Sequence, residues 1–240
     1  MMPLGRSRID RFLQKQCQLN RRQVQLLLAQ RRILVDGVTV DVGEFLIDKF
    51  SLICLDNVIL QANTANYIML HKPIGVVSAT QDQQHKTVID LLDTVSRNEL
   101  HIVGRLDLNS SGLLLLTNDS RWSSRLTSPD NKVVKQYEVT LANPLSEDYI
   151  KAFAEGMYFE YEDIITRPAQ LDIISQYCAR VHLVEGRYHQ IKRMFGRFRN
   201  PVQKLHRIAI GNLALDDSLQ PSESRSLTQQ EVVSIDALVD

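Results

Sequence analysis

The sequence predicts an α+β protein built as two domains, and three observations carry the prediction. From residue 67 to 215, short β-prone runs outnumber helical stretches and follow one another through brief turns. That pattern favours a mixed, mostly antiparallel sheet flanked by helices over a doubly wound parallel one. Residues 1–60 read instead as a small α/β unit, a pair of short basic helices followed by hairpins. Between the two, Gln61-Ala-Asn-Thr-Ala-Asn66 is small and polar, the composition of a linker, so the second domain spans 67–240.

In the first domain Ile9, Phe12, Leu13 and Cys17 recur at helical spacing, so residues 8–18 read as an amphipathic helix with its arginines outward. Asn20 caps a second helix, with Gln23 placed as in a capping box and Val24, Leu27 and Leu28 inward. Ile33-Leu-Val-Asp-Gly-Val-Thr-Val40 is two β runs joined by Asp36-Gly37, a hairpin signal, and a further strand pair surrounds Asp56-Asn57. In the second domain strands are expected over 67–71, 75–80, 101–107, 113–117, 133–141, 168–174, 179–184 and 205–215. Helices are expected over 88–95, 120–127, 147–155 and 188–198.

Composition narrows the class. A chain of 240 residues with 44% hydrophobic content can bury a sizeable core and is not a disordered tail. Cys17, Cys54 and Cys178 are far apart with no Cys-x-x-Cys pair, which suggests neither a disulfide framework nor a zinc site and points to a reducing compartment. The opening Met-Met-Pro-Leu-Gly-Arg lacks a signal-peptide core, and no apolar run approaches the roughly 20 residues of a membrane span. A soluble cytoplasmic monomer is expected. The histidines lack metal-ligand spacing, and no Gly-x-Ser-x-Gly, P-loop or dinucleotide fingerprint occurs, so metal, nucleotide-cofactor and serine-hydrolase chemistries are disfavoured.

The formal net charge of zero hides a segregated pattern. Residues 6–32 carry Arg6, Arg8, Arg11, Lys15, Arg21, Arg22, Arg31 and Arg32 against Asp10 alone. Residues 187–207 carry Arg187, Lys192, Arg193, Arg197, Arg199, Lys204 and Arg207 with no acid, while acid collects in Glu147–Asp163 and the C-terminal tail. Such blocks usually form solvated faces, yet two of them balanced by distant acid imply a field that attracts a polyanion, with nucleic acid the leading partner.

Two motifs bear on chemistry. Asp107, in Gly104-Arg-Leu-Asp-Leu-Asn-Ser-Ser-Gly112, precedes the apolar run Leu113–Leu116, so the segment reads as strand, tight turn, strand with the carboxylate where the first strand ends. Arg105 would then share its face. Carboxylates are seldom buried unpaired, so this one needs a cationic or hydrogen-bonding partner; the plainer reading is an Asp that merely closes the turn through its own backbone. In Glu185-Gly-Arg-Tyr-His-Gln-Ile-Lys-Arg-Met-Phe195, Ile191, Met194, Phe195 and Phe198 form a core stripe, and His189, Lys192 and Arg193 fall on the other face. With Gly186 before it, this helix start could face phosphates or a carboxylate, and a cation beside Asp107 would favour the ionised form that a nucleophile requires. Tyr137 lies on a strand face with Val139 and Leu141, where a lone Tyr is ordinarily core. His71-Lys-Pro-Ile-Gly75 reads as a simple turn.

Taken together, Tyr67-Ile-Met-Leu-His-Lys-Pro73, Gly104-Arg-Leu-Asp107 with the residues after it, and Gly186-Arg-Tyr-His-Gln-Ile-Lys-Arg-Met-Phe195 resemble the RsuA-type ribosomal RNA pseudouridine synthases, over nearly the whole chain. Residues 6–54 resemble an S4 RNA-binding module through Arg8-Ile-Asp-Arg-Phe-Leu13 and Ile33–Val40. Gln84–Asp93 and Trp122–Pro129 look closest to the branch acting on 16S RNA of the small subunit, the pseudouridine-516 class. His71 stands where Asn is frequent, and Asn109 where Asp is frequent.

The resemblance implies an isomerase with Asp107 as catalytic aspartate, Tyr137 as the tyrosine contacting uracil, and Lys192 as the basic partner of the Asp. Arg105 would hold the flipped-out nucleotide. RNA contacts are expected from Arg8, Arg11, Arg21, Arg22, Arg31 and Arg32 in the first domain and from Arg187, His189, Gln190 and Arg193 in the second. The expected partner is ribosomal RNA or an assembling small subunit, with no cofactor and no metal. Two other readings of the chain are a large-subunit RNA synthase and a noncatalytic RNA-binding or ribosome-assembly factor.

Overall fold

The computed structural model describes residues 6–93 and 97–238. The chain divides into two compact units, one ending at Ala65 and one beginning at Asn66. Gln61 belongs with the first, because its amide donates to the carbonyls of Asp48 and Ser51.

The first unit runs β1 (Arg6–Arg8), α1 (Ile9–Gln16), α2 (Arg21–Ala29), β2 (Ile33–Val35), β3 (Val38–Val40), β4 (Leu46–Asp48), β5 (Ile53–Leu55) and β6 (Val58–Gln61). Asn20 and Gln23 form the capping box, each side chain accepting from the other's backbone N–H. Asp36-Gly37 closes the β2–β3 hairpin with both residues at positive φ, a conformation glycine adopts without cost. Strands β3-β2-β5-β6 form one sheet, and β1 pairs with β4 apart from it. Ile9 and Leu13 of α1, Val24 and Leu28 of α2, and Ile33, Val35 and Ile53 share one core. Neither β1 nor β4 is foreseen by the sequence, since three-residue strands carry too little periodicity to register.

The second unit runs β7 (Tyr67–Lys72), β8 (His101–Val103), β9 (Ser111–Thr117), α3 (Ser120–Thr127), β10 (Lys135–Leu141), α4 (Asp148–Glu155), β11 (Tyr158–Phe159), β12 (Ile164–Ile165), β13 (Gln170–Ser175), β14 (Cys178–Leu183), α5 (Gln190–Gly196), β15 (Val202–Ile210), β16 (Leu213–Ala214), β17 (Ser224–Ser226) and α6 (Gln229–Asp236). Its main sheet has the order β13-β14-β10-β15-β9-β7-β17, with β16 on β15 and β8 on β9. Every pairing in that sheet is antiparallel except β9 with β15, so the sheet is mixed and mostly antiparallel.

The run Leu113–Leu116 is apolar throughout because β9 is covered on both faces. Leu114 and Leu116 pack with Tyr149 and Phe153 of α4 and Met194 and Phe195 of α5. Leu113 and Leu115 pack on the other side with Trp122 and Leu126 of α3 and Ile235 of α6. Gly112 is required where β9 meets β15: its φ is +109°, and a Cβ there would stand 2.2 Å from the carbonyl oxygen of Arg207.

Several expected elements are shorter than the sequence suggests. The 101–107 strand ends at Val103, because Gly104 turns the chain at φ +71°, so Arg105 and Asp107 stand in a loop and do not share a strand face. The 75–80 strand is absent: Gly75 sits at φ +84° and Val77 makes one isolated bridge, to Thr87. The 88–95 helix is a single 3-10 turn, Ile89–Leu91, closed by Thr87 against the Asp90 carboxylate, and part of that expectation lies outside the described residues. The 205–215 strand is a hairpin, turned by Gly211 at φ +59°. The 188–198 helix is Gln190–Gly196, so its start lies four residues beyond Gly186. Strands β11, β12 and β17 and helix α6 are unforeseen. Among the described residues no helix is long and apolar enough to cross a membrane.

Candidate active site

The loop from Gly104 to Ser110 is fixed through its own carbonyls. Ser78 Oγ donates to Leu106 O at 2.7 Å, Lys72 Nζ to Asp107 O at 3.1 Å, and Gly75 N to Leu108 O at 2.9 Å. Three successive carbonyls are thus held by the last residue of β7 and the segment that follows it, the stretch read from sequence as a plain turn and a strand. Ser110 N donates to Asp107 O at 3.0 Å and closes the turn through the backbone. The side chain of Asp107 is therefore not consumed in making the turn.

That carboxylate faces two basic groups. Lys192 Nζ donates to Asp107 Oδ2 at 3.2 Å, and His189 Nε2 lies 3.4 Å from the same oxygen. The cleft around it is lined by Arg105, Asp107, Tyr137, Arg187, His189 and Gln190, with Leu106, Leu183, Ile191 and Leu205 as apolar wall. Its empty space of about 460 Å³, which merges with solvent, suits a small planar ligand. The Asp107 side chain keeps 32% of its exposure, so water reaches it in the free protein.

Each wall has a local cause. Tyr137 alternates inward with Val139 and Leu141 along β10 and is only 8% exposed, yet its ring also borders the cleft. Arg207, itself buried, donates to the carbonyls of Leu113 and Gly104, and its guanidinium carbon stands 6.0 Å from the Tyr137 ring centre. Glu185 organises the 185–190 loop: it accepts from Gln190 Nε2 at 2.7 Å, Arg167 N at 2.9 Å and Arg187 Nε at 3.1 Å. A buried carboxylate with three donors is stable only in place, which fixes where His189 and Lys192 can reach.

Lys72 is fully buried and donates to three carbonyls, those of Pro73, Asp107 and Ser110. Burial pulls its amine down to about 8, against the opposing pull of nearby Asp107. It was missed at the sequence level because nothing local marks a lysine as buried. Glu185 was missed for the same reason.

This geometry accompanies extensive similarity to known proteins. A family model described as RNA pseudouridylate synthase matches residues 66–196. The ribosomal small subunit pseudouridine synthase A of Pseudomonas aeruginosa is 49% identical over 229 residues, covering 95% of this chain and 100% of that one. The protein of the same name from Yersinia pestis is 42% identical, covering 96% and 98%. The chain belongs to the RNA pseudouridylate synthase family. A solved structure described as the crystal structure of pseudouridylate synthase superimposes with a TM-score of 0.70 at 38% identity, covering 95% of the synthase and 99% of that chain.

Of the synthase residues singled out by sequence, Asp107, Tyr137, Lys192, Arg105, Arg187, His189 and Gln190 come together at the cleft. Arg193 does not: its guanidinium forms two 2.6 Å bonds to Glu162 and lies over the Phe159 ring. Arg8, Arg11, Arg21, Arg22, Arg31 and Arg32 belong to the first unit. There Arg8 is paired with Asp10 and Glu44, Arg31 with Asp41, and Arg32 with Asp56. Arg11, Arg21 and Arg22 have no carboxylate at ion-pair distance among the described residues.

Proposed function

We propose that this synthase isomerises uridine to pseudouridine in RNA of the small ribosomal subunit, at the position of the pseudouridine-516 class, with Asp107 as the catalytic carboxylate. The observation that carries the reading is the Asp107 carboxylate held between Lys192 and His189 in a cleft bordered by Tyr137. The names of the relatives, which cover nearly the whole chain, support the choice of RNA.

The isomerisation breaks the N1–C1′ bond and joins C1′ to C5 of the same base; the hydrogen on C5 leaves as a proton and N1 gains one. No electrons are exchanged and no water is added, so amino-acid side chains suffice. An ionised carboxylate serves either by adding to sugar or base or by taking the 2′ proton. Lys192, which donates to it, keeps it aimed. Tyr137 meets the face of the uracil, and Arg105, exposed and without a partner among the described residues, takes the phosphate of the extruded nucleotide. Extrusion costs a few kcal/mol, which contacts in the cleft offset. The RNA covering the cleft excludes the water that reaches Asp107 in the free protein. The S4-like first unit, where Arg11, Arg21 and Arg22 have no carboxylate at ion-pair distance among the described residues, supplies sequence-independent grip.

Release of tritium from 5-labelled uridine in small-subunit RNA, free or in an assembling particle, tests the reading. Asp107→Asn should lower kcat by about a thousandfold or more at unchanged RNA affinity. Release at the wild-type rate would remove Asp107 from the chemistry, and release from large-subunit RNA alone would overturn the substrate.

A further inference from the structure

Tyr188 is a large ring with no part in any core: it is 70% exposed. One face is occupied, since the ring stacks on His189 with centroids 3.9 Å apart and planes 19° apart. The His189 ring in turn lines the cleft, and its Nε2 lies 3.4 Å from Asp107 Oδ2. A continuous aromatic surface therefore runs from the carboxylate outward, and its last member, Tyr188, is absent from the cleft wall itself.

The mount is rigid. His189 is held at φ +49°, which turns the two side chains onto one another. Gln190 Oε1 accepts from Arg187 N at 3.1 Å while its amide donates to Glu185, and Arg193 Nη1 donates to Tyr188 O at 3.4 Å. The exposed ring is thus preorganised, and the aromatic contact it offers costs little side-chain entropy.

We propose that Tyr188, backed by His189, is a stacking ledge for the base of a nucleotide next to the extruded uridine, and so a substrate-orienting residue of the synthase. This rests on the proposed action on RNA. Extruding one nucleotide leaves its neighbours without a stacking partner, and a π-face beside the cleft mouth replaces the lost contact whatever the base identity.

The test uses full-length protein and the RNA in which the modified uridine has been mapped. Tyr188→Ala should raise KM about 5- to 150-fold, with kcat within about twofold of wild type; Tyr188→Phe, which keeps the ring, should restore KM. With 2-aminopurine placed on either side of the target in separate RNAs, wild type and Tyr188→Phe should quench one of the two probes, and Tyr188→Ala should not. Equal KM for wild type and Tyr188→Ala, or a defect confined to kcat, overturns the ledge while leaving the reaction assignment intact. A wild-type protein that releases no tritium from RNA sinks the functional reading and the ledge with it.

Discussion

Lys72 shows what a single buried charge does in this protein. Its ammonium is shared among the carbonyls of Pro73, Asp107 and Ser110, so it ties β7 to the loop that presents the carboxylate. Lys72→Met keeps the stem but takes the ammonium from three buried carbonyls, of which Asp107 O still accepts from Ser110 N. Each unpaired buried polar group costs about 1–3 kcal/mol, partly recovered by relaxation. The expected result is a loss of at least about 2 kcal/mol in urea unfolding together with a fall in kcat; unchanged stability would show that those carbonyls find other donors. At this scale the sequence was informative where a residue's partner class is dictated by its own chemistry. Asp107 needed a cationic or hydrogen-bonding partner, and Lys192 supplies it. It was silent where burial decides the role, as for Lys72 and Glu185, because burial depends on segments far away in the chain.

Elements with strong periodicity or an explicit cap were legible: α2 from Asn20 and Gln23, and the Asp36-Gly37 hairpin. Strand ends were not legible, since Gly104 and Gly211 stop strands only through the φ they adopt in the folded chain. The last elements, β17 and α6, escaped because what fastens them is an ion network. Arg225 Nε donates to Asp216 at 2.6 Å and its Nη2 to Glu231 at 2.7 Å, while Glu231 also completes the Thr228 capping box. The Ser218 hydroxyl and N–H, with Arg225, hold the Asp216 carboxyl down to about 2. Arg225, first, and the Thr228 N–H hold Glu231 down to about 2. Both folded values lie below the ordinary ones, so this stabilisation is complete above pH about 4.5 and is lost as pH falls through about 2. Hydrogen-exchange protection of residues 224–236 should therefore fall between pH 5 and pH 2 more than that of β9, and Arg225→Met should flatten the difference. Equal acid sensitivity in wild type and Arg225→Met would detach the network from the stability of this segment.

At the scale of the whole molecule, a charge count along the sequence treats the two basic blocks as equal, and folding makes them unequal. In the 187–207 block, Arg187 meets Glu185, Lys192 meets Asp107, Arg193 meets Glu162 and Arg197 meets Glu160, while Arg207 is buried against backbone carbonyls. Glu160 and Glu162 of the Glu147–Asp163 stretch are thus local counterions and not a distant balance. In the first unit Arg6, Arg11, Lys15, Arg21 and Arg22 keep no carboxylate at ion-pair distance among the described residues. RNA affinity depends on salt through the phosphates that free cations neutralise, each lowering the log–log slope by about 0.7–0.9. A cation already matched to a carboxylate contributes little, because engaging a phosphate strands its partner. Replacing Arg21 and Arg22 together by Ala should therefore reduce the slope of log affinity against log salt by about 1.4–1.8 units, with kcat at saturating RNA unchanged. Arg193→Ala should change the slope by less than about 0.5. The converse, a large slope change for Arg193 and none for the pair, would mean that RNA displaces Glu162 and that the second unit carries the grip.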